Sequence, residues 1–135
     1  MLVSTRGRYA LRFLVDLAEN QGTEGYITTH ELAERQQVSQ KYAERLMGAL
    51  SKGKFVETAH GKGGGYRLGL APGDCRVSDV LRAMNEEIAP VECLACDPNN
   101  CPRAKNCRTL PMWQKLGRVI NEFFDGVTIA DLMKR

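Results

Sequence analysis

Between Tyr9 and Ala18, Leu11, Leu14, Val15 and Ala18 fall on one side of a helical period, and Phe13 and Leu17 widen that stripe. The pattern predicts an amphipathic helix with more apolar surface than one neighbour covers. In TTHELAERQQ, Thr28 stands three residues before Glu31, a capping box that starts a short second helix. VSQKYAERLMGALSKGK continues with Ser39 as N-cap, Tyr42, Leu46, Met47 and Leu50 as the inward face, and Gly53 as the stop. The period then changes to two. In KFVETAHGKGGGYRLGL, Phe55 and Val56 precede a glycine-rich turn while Tyr66 and Leu68 follow it, which predicts a two-stranded hairpin. After Pro111, Trp113, Leu116, Ile120 and Phe123 recur at helical spacing with Phe124 alongside, predicting a helix of about four turns. Little chain remains to cover its stripe, so it is expected to pack on a second copy or on the over-apolar first helix. A core helix within a monomer is the alternative. Thr128 and Asp131 predict a last capped helix that folds back over the stripe.

Two short helices around the break from Gln36 to Ser39 meet the needs of a helix-turn-helix: Ala33 permits close packing, Val38 plugs the corner and Leu46 anchors the second helix. Gln37 departs from the pattern, because the turn commonly carries glycine for a left-handed conformation. An ordinary helical hairpin would explain the helices alone, but the following strands read as a wing. The expected fold is therefore mainly α with a small β-hairpin wing: a winged helix-turn-helix over 1–72, a connecting helix in 73–92, a cysteine-rich loop over 93–107, and a long dimerisation helix with a C-terminal helix over 108–135.

Charge sharpens this picture. Residues 1–72 hold 10 Lys/Arg and 7 Asp/Glu while 73–135 hold 9 and 9, so the whole net charge of +3 lies in the N-terminal half. Such a surplus suits a polyanion such as DNA; a solvated surface is the plain alternative. The wing tip from His60 to Gly65 joins a base and an imidazole to four glycines, so bare backbone could approach a phosphate. It fits neither the dinucleotide fingerprint, which wants glycine where Tyr66 stands, nor a P-loop. With two histidines, and HELAE at His30 lacking the second histidine of a zinc-protease helix, an enzyme is not expected; a small metalloenzyme is the remote alternative. No apolar run reaches the roughly 20 residues of a membrane span, and the start lacks a secretory pattern, which predicts a reducing cytoplasm.

STRGRYALRFLVDLA, the helix-turn-helix with VSQKYAERL, the wing GKGGGYRL and the downstream cysteines together resemble the Rrf-type regulators, which include IscR, NsrR and CymR. The resemblance implies a winged-helix transcription factor, a repressor, that binds double-stranded DNA as a homodimer on a palindromic operator. The residue-level reading agrees: the second helix of the pair enters the major groove, with Ser39, Gln40, Lys41 and Arg45 near base edges. Gln40 suits adenine, and Lys41 or Arg45 suits guanine or phosphate. His60 and Lys62 on the wing, with Ser4, Thr5, Arg6 and Arg8 ahead of the first helix, are expected to hold the backbone.

Cys93, Cys96, Cys101 and Cys107 lie within ECLACDPNNCPRAKNC, a proline- and asparagine-threaded loop able to wrap something compact. The resemblance implies an iron-sulfur cluster, 2Fe-2S or 4Fe-4S, held by Cys93, Cys101 and Cys107, with Cys96 as fourth ligand or in place of Cys93. Leu110 stands where IscR-like members carry a histidine ligand, so the remaining ligand is Cys96 or an oxygen from the partner's N-terminal segment. Structural zinc and a metal-free thiol switch are the competing fillings. Cys107 sits just ahead of the long helix, whose positive end stabilises a thiolate. Cys75 reads as a small buried hydrophobe. EEIAPVE at 86–92 is similar to CymR-like regulators, which implies a cysteine-synthesis enzyme as an alternative partner.

Overall fold

In the computed structural model residues 3–23, 25–95 and 101–133 are described. The chain runs α1 (Thr5–Asn20), α2 (Thr29–Gln36), α3 (Gln40–Lys52), β1 (Val56–Ala59), β2 (Gly65–Leu68), α4 (Val77–Ala83), α5 (Leu110–Asp125) and α6 (Ile129–Leu132), with short 3-10 turns at Pro72–Asp74, Glu92–Leu94 and Ala104–Asn106. It is the mainly helical winged architecture that the pattern predicts.

The helix starts obey local chemistry. The side chains of Ser4, Thr28, Ser39 and Thr128 accept from the backbone N–H three residues on, each satisfying an orphan donor of a first turn. Gln37 takes the left-handed conformation, φ 56° and ψ 47°, that the turn between α2 and α3 demands. β1 and β2 pair antiparallel from Val56 opposite Leu68 to Ala59 opposite Gly65. Ile27 and Tyr66 exchange backbone hydrogen bonds of 2.8 and 2.7 Å, tying the hairpin to the approach to α2.

α1 is the centre of the molecule. It touches α2, α3, α4, α6 and β2, which bury Ala10, Phe13, Leu14 and Leu17 and leave Leu11, Val15 and Ala18 half-buried. Phe13, Leu14, Leu17, Leu32, Met47, Leu50, Val80 and Ile129 form the core around it. Among the described residues two polar ones are buried, Asp16 and Ser78. Asp16, 5% exposed, accepts from Arg35 Nε and Nη2 and from Gln36 Nε2, locking α2 onto α1. The Asp16 carboxylate beside Arg35 in turn raises the guanidinium pKa.

The C-terminal third differs from the sequence expectation in two ways. α6 does not cover α5; it turns back onto α1 and the Pro72–Asp74 turn, where Ile129 is fully buried and its N–H donates to the Cys75 carbonyl. The uncovered stripe of α5 is also not the expected set. Trp113 and Ile120 are half-buried, whereas Met112, Leu116, Val119 and Phe123 are exposed by 40–64%. The opposite face of α5 packs on the subunit: Gly117 is buried close to Pro90 and Leu94, and Asn121 Nδ2 donates to the Ile88 and Gly117 carbonyls.

Candidate nucleic-acid interface and cysteine loop

α3 turns its apolar residues inward because they recur at 43, 46, 47 and 50, which leaves Lys41, Glu44, Arg45, Gly48 and Lys52 outward. Leu46 is buried and Tyr42 is half-buried, its ring edge-on to Tyr9 at 6.2 Å, so both belong to the packing. Ser39 is exposed at the helix start, where its hydroxyl caps Tyr42 N–H at 3.1 Å. Gln40 is less available than the sequence suggests. Its amide donates to Thr29 Oγ1 at 2.8 Å and to Glu44 Oε1 at 3.2 Å, so reading a base requires releasing those bonds. Glu44 was missed by sequence reasoning, although its place one turn after Gln40 and beside Arg45 put it on the same outward face. A carboxylate there can accept from the amino group of cytosine.

The wing presents His60 and Lys62 at its exposed tip. Gly63 has φ 81° with open space around it, which lets this turn close without a side chain. Arg67 is engaged differently, pairing with Glu57 at 3.3 Å and lying over the Tyr26 ring. Among the described residues, Arg6, Lys41, Arg45, Lys52 and Lys62 form no ion pair, so their charges face outward uncompensated.

At the start of α1 the four expected backbone contacts separate. Ser4 is occupied: its N–H and hydroxyl both donate to Glu86 Oε1, and the hydroxyl also accepts from Gly7 N–H. A Cβ on Gly7 would lie 2.6 Å from that Glu86 oxygen, so the glycine leaves room for the carboxylate. Thr5 accepts from Arg8 Nη2 at 3.2 Å. Arg6 instead lines a groove shared with Gly48 and Lys52 of α3.

Glu86 also ties this region to the cysteines. Asn85, at φ 60°, ends α4 in a left-handed turn, Glu86 N–H closes on the Leu81 carbonyl, and six residues later the Glu92–Leu94 turn carries Cys93. Cys93, Cys101 and Cys107 are half-buried; Cys96 lies outside the described residues. Cys107 Sγ lies 3.4 Å from Thr109 Oγ1, and its pKa is lowered, first by that hydroxyl, then by the backbone N–H groups of Thr109 and Leu110 and the charge of Arg103. These groups at the head of α5 shift Cys107 in the direction that favours its thiolate. Cys75 is the opposite: it is buried in the core, and burial, helped by Asp79, pushes its thiol up to about 11.

The donor set suits a thiophilic metal, since thiolates at partly accessible positions are the ligands iron-sulfur clusters and zinc require. Among the described residues, however, no three of His, Cys, Asp and Glu converge on a metal-sized point. Cys93, Cys101 and Cys107, with Cys96 outside the described residues, are the thiols that would hold such a group.

Comparison with known proteins adds to this geometry. The model of the Rrf2 family, described as iron-dependent transcriptional regulators, matches residues 3–135. The protein rrf2 of Nitratidesulfovibrio vulgaris is 37% identical over 136 residues, covering 99% of this chain and 88% of its own. The HTH-type transcriptional regulator IscR of Aliivibrio salmonicida is 34% identical over 133 residues, covering 98% and 77%. Among solved structures, the global cysteine regulator CymR of B. subtilis superposes with a TM-score of 0.80 at 30% identity, covering 98% of this chain and 95% of that one. IscR of T. potens gives 0.76 at 32% identity, covering 98% and 85%.

Proposed function

The chain belongs to the Rrf2 family of transcriptional regulators, and from that membership we propose a homodimeric, sequence-specific repressor whose operator affinity follows the state of its cysteine-rich loop. Members of this family regulate transcription and are not enzymes. The observation that carries the proposal is the outward face of α3, where Lys41 and Arg45 are exposed and, among the described residues, form no ion pair. The N-terminal end of α3 reads base edges through Lys41, Arg45 and a released Gln40, with Ser39 at its edge. His60, Lys62, Thr5, Arg6 and Arg8 hold phosphates, which sets register rather than sequence. Ser4 acts indirectly, by capping α1.

Dimerisation is supported by the α5 stripe: Met112, Leu116, Val119 and Phe123 repeat at the alternating four- and three-residue spacing by which helices pair. A two-fold dimer reads a palindrome with half-sites one or two helical turns apart. In this division 1–72 reads DNA, 73–92 connects, 93–107 senses and 108–135 dimerises. Among the described residues no helix is long and apolar enough to cross a membrane, and the cytoplasm is the proposed setting.

For control, Cys93, Cys101 and Cys107, with Cys96 completing the set, would hold an iron-sulfur cluster. Such a group, when bound, changes charge or is lost on reaction with oxidants or nitric oxide. The chain's own part is mechanical. Cys107 stands three residues before Leu110, which is 8% exposed and seats the start of α5. Closing or opening the loop moves that start, and a shift of an ångström or two changes the spacing of two reading heads. The test is the colour and the iron, sulfide and zinc content of protein purified without air. Brown protein with iron and sulfide supports the cluster; colourless protein with equimolar zinc transfers the site to structural zinc.

A second reading is favoured by the likeness to CymR together with EEIAPVE at 86–92. There the signal arrives through a cysteine-synthesis enzyme bound to the regulator. Capture of that enzyme from cell extract by metal-free protein would support it.

A further inference from the structure

Gly48 lies in the middle of α3, where glycine is less favourable than alanine by about 1 kcal/mol. Packing within the subunit does not ask for it: a Cβ built there meets no heavy atom within 4 Å. The residue instead lines an open groove of about 680 Å3 with Arg6, Ala49, Lys52, Gly53, Ala83 and Asn85. That lining has two cations and no carboxylate. It also continues the outward stripe of α3, because positions 41, 45, 48 and 52 share one helix face.

We propose that this groove is a site for a DNA backbone phosphate, with Arg6 and Lys52 holding the anion and Gly48 giving the sugar-phosphate chain close approach to bare helix. The site deepens the DNA-binding reading and rests on it. A 13-residue helix is about 20 Å long and the major groove about 12 Å wide, so a helix reading bases with its first turns meets the phosphate wall with its last. Arg6 comes from α1, so the phosphate bridges two elements, and the Glu86–Ser4 contact fixes the turn that carries Arg6.

The experiment measures affinity against salt for the full chain on a duplex selected from a random pool and on an unrelated duplex, comparing the parent with Arg6→Gln, Lys52→Gln, the double variant and Gly48→Ala. Each single charge loss is expected to reduce the slope of log K against log salt by about 0.9, equally on both duplexes. The double variant is expected to lose no more than about 0.9, because one phosphate is held. Gly48→Ala is expected to raise the melting temperature yet weaken binding about tenfold, since a methyl group holds the phosphate off its charge-assisted contacts. Unchanged slopes in both single variants while the parent binds normally would overturn the site alone. So would parent-like binding by Gly48→Ala, or a Gly48→Ala effect confined to the dimer equilibrium, which would assign the groove to a second copy of the chain. If the parent binds neither duplex at low salt, the DNA-binding reading and this site fall together.

Discussion

Gln37 holds φ 56° without a glycine, and the left-handed region costs a residue with a Cβ about 1–2 kcal/mol. Gln37→Gly is therefore expected to stabilise the fold by about 0.5–1 kcal/mol in denaturant titration, the gain being cut by the greater freedom of unfolded glycine. Cys75 gives a second prediction at this scale. Its folded pKa of about 11 exceeds the ordinary 9.0, so the unfolded thiol ionises first. Stability contributed by the neutral thiol is complete below about 9 and is lost as pH rises toward 11. Cys75 should resist alkylation at pH 8 until the protein unfolds, while the loop thiols react, as mass spectrometry of labelled peptides would show. Caps were legible in the sequence at Thr28, Ser39 and Thr128 because a cap is local, reaching three residues. The Ser4 contact with Glu86 was not, because its partners lie 82 residues apart.

Among the elements, α1 to α3 and the hairpin were legible because each carries its own period and stop signals. α5 was legible as a helix but not in its facing. Trp113 and Ile120 are as apolar as Leu116 and Phe123, and only the connection through Ile88, Pro90 and Leu94 decides which side packs inward. α6 was misdirected for a related reason: four residues carry no face of their own, and Ile129 follows the best available core, beside α1. The link between α1 and the loop after α4 gives a prediction here. Glu86→Ala should cost about 1 kcal/mol and raise hydrogen exchange in the first turn of α1, seen at the Arg8 amide that bonds the Ser4 carbonyl, with little change elsewhere.

For the whole molecule, one subunit leaves the Met112–Phe123 stripe uncovered, and an exposed apolar stripe of this size is what the proposed dimer would cover with a second copy. Val119→Glu should convert the dimer to a monomer in sedimentation, leave the far-ultraviolet spectrum intact, and reduce operator affinity by 100-fold or more, in line with the lost linkage of two half-sites. The candidate site was legible in part at this scale. Lys41, Arg45 and Lys62 follow from helix face and wing pattern, whereas the approach of Arg6 to Gly48 and Lys52 needs the crossing of α1 and α3. The four thiols of the proposed sensor were legible by number, but spacing does not fix the loop conformation that would gather them.

The most direct measurement is operator affinity of protein purified without air, before and after exposure to oxygen, for the parent and for Cys107→Ala. The parent should change affinity at least about tenfold, a coupling of about 1.4 kcal/mol, while Cys107→Ala keeps its fold and binds the operator with one affinity under both conditions. A parent indifferent to oxygen, or a Cys107→Ala variant that responds as the parent does, would contradict control through the cysteine loop.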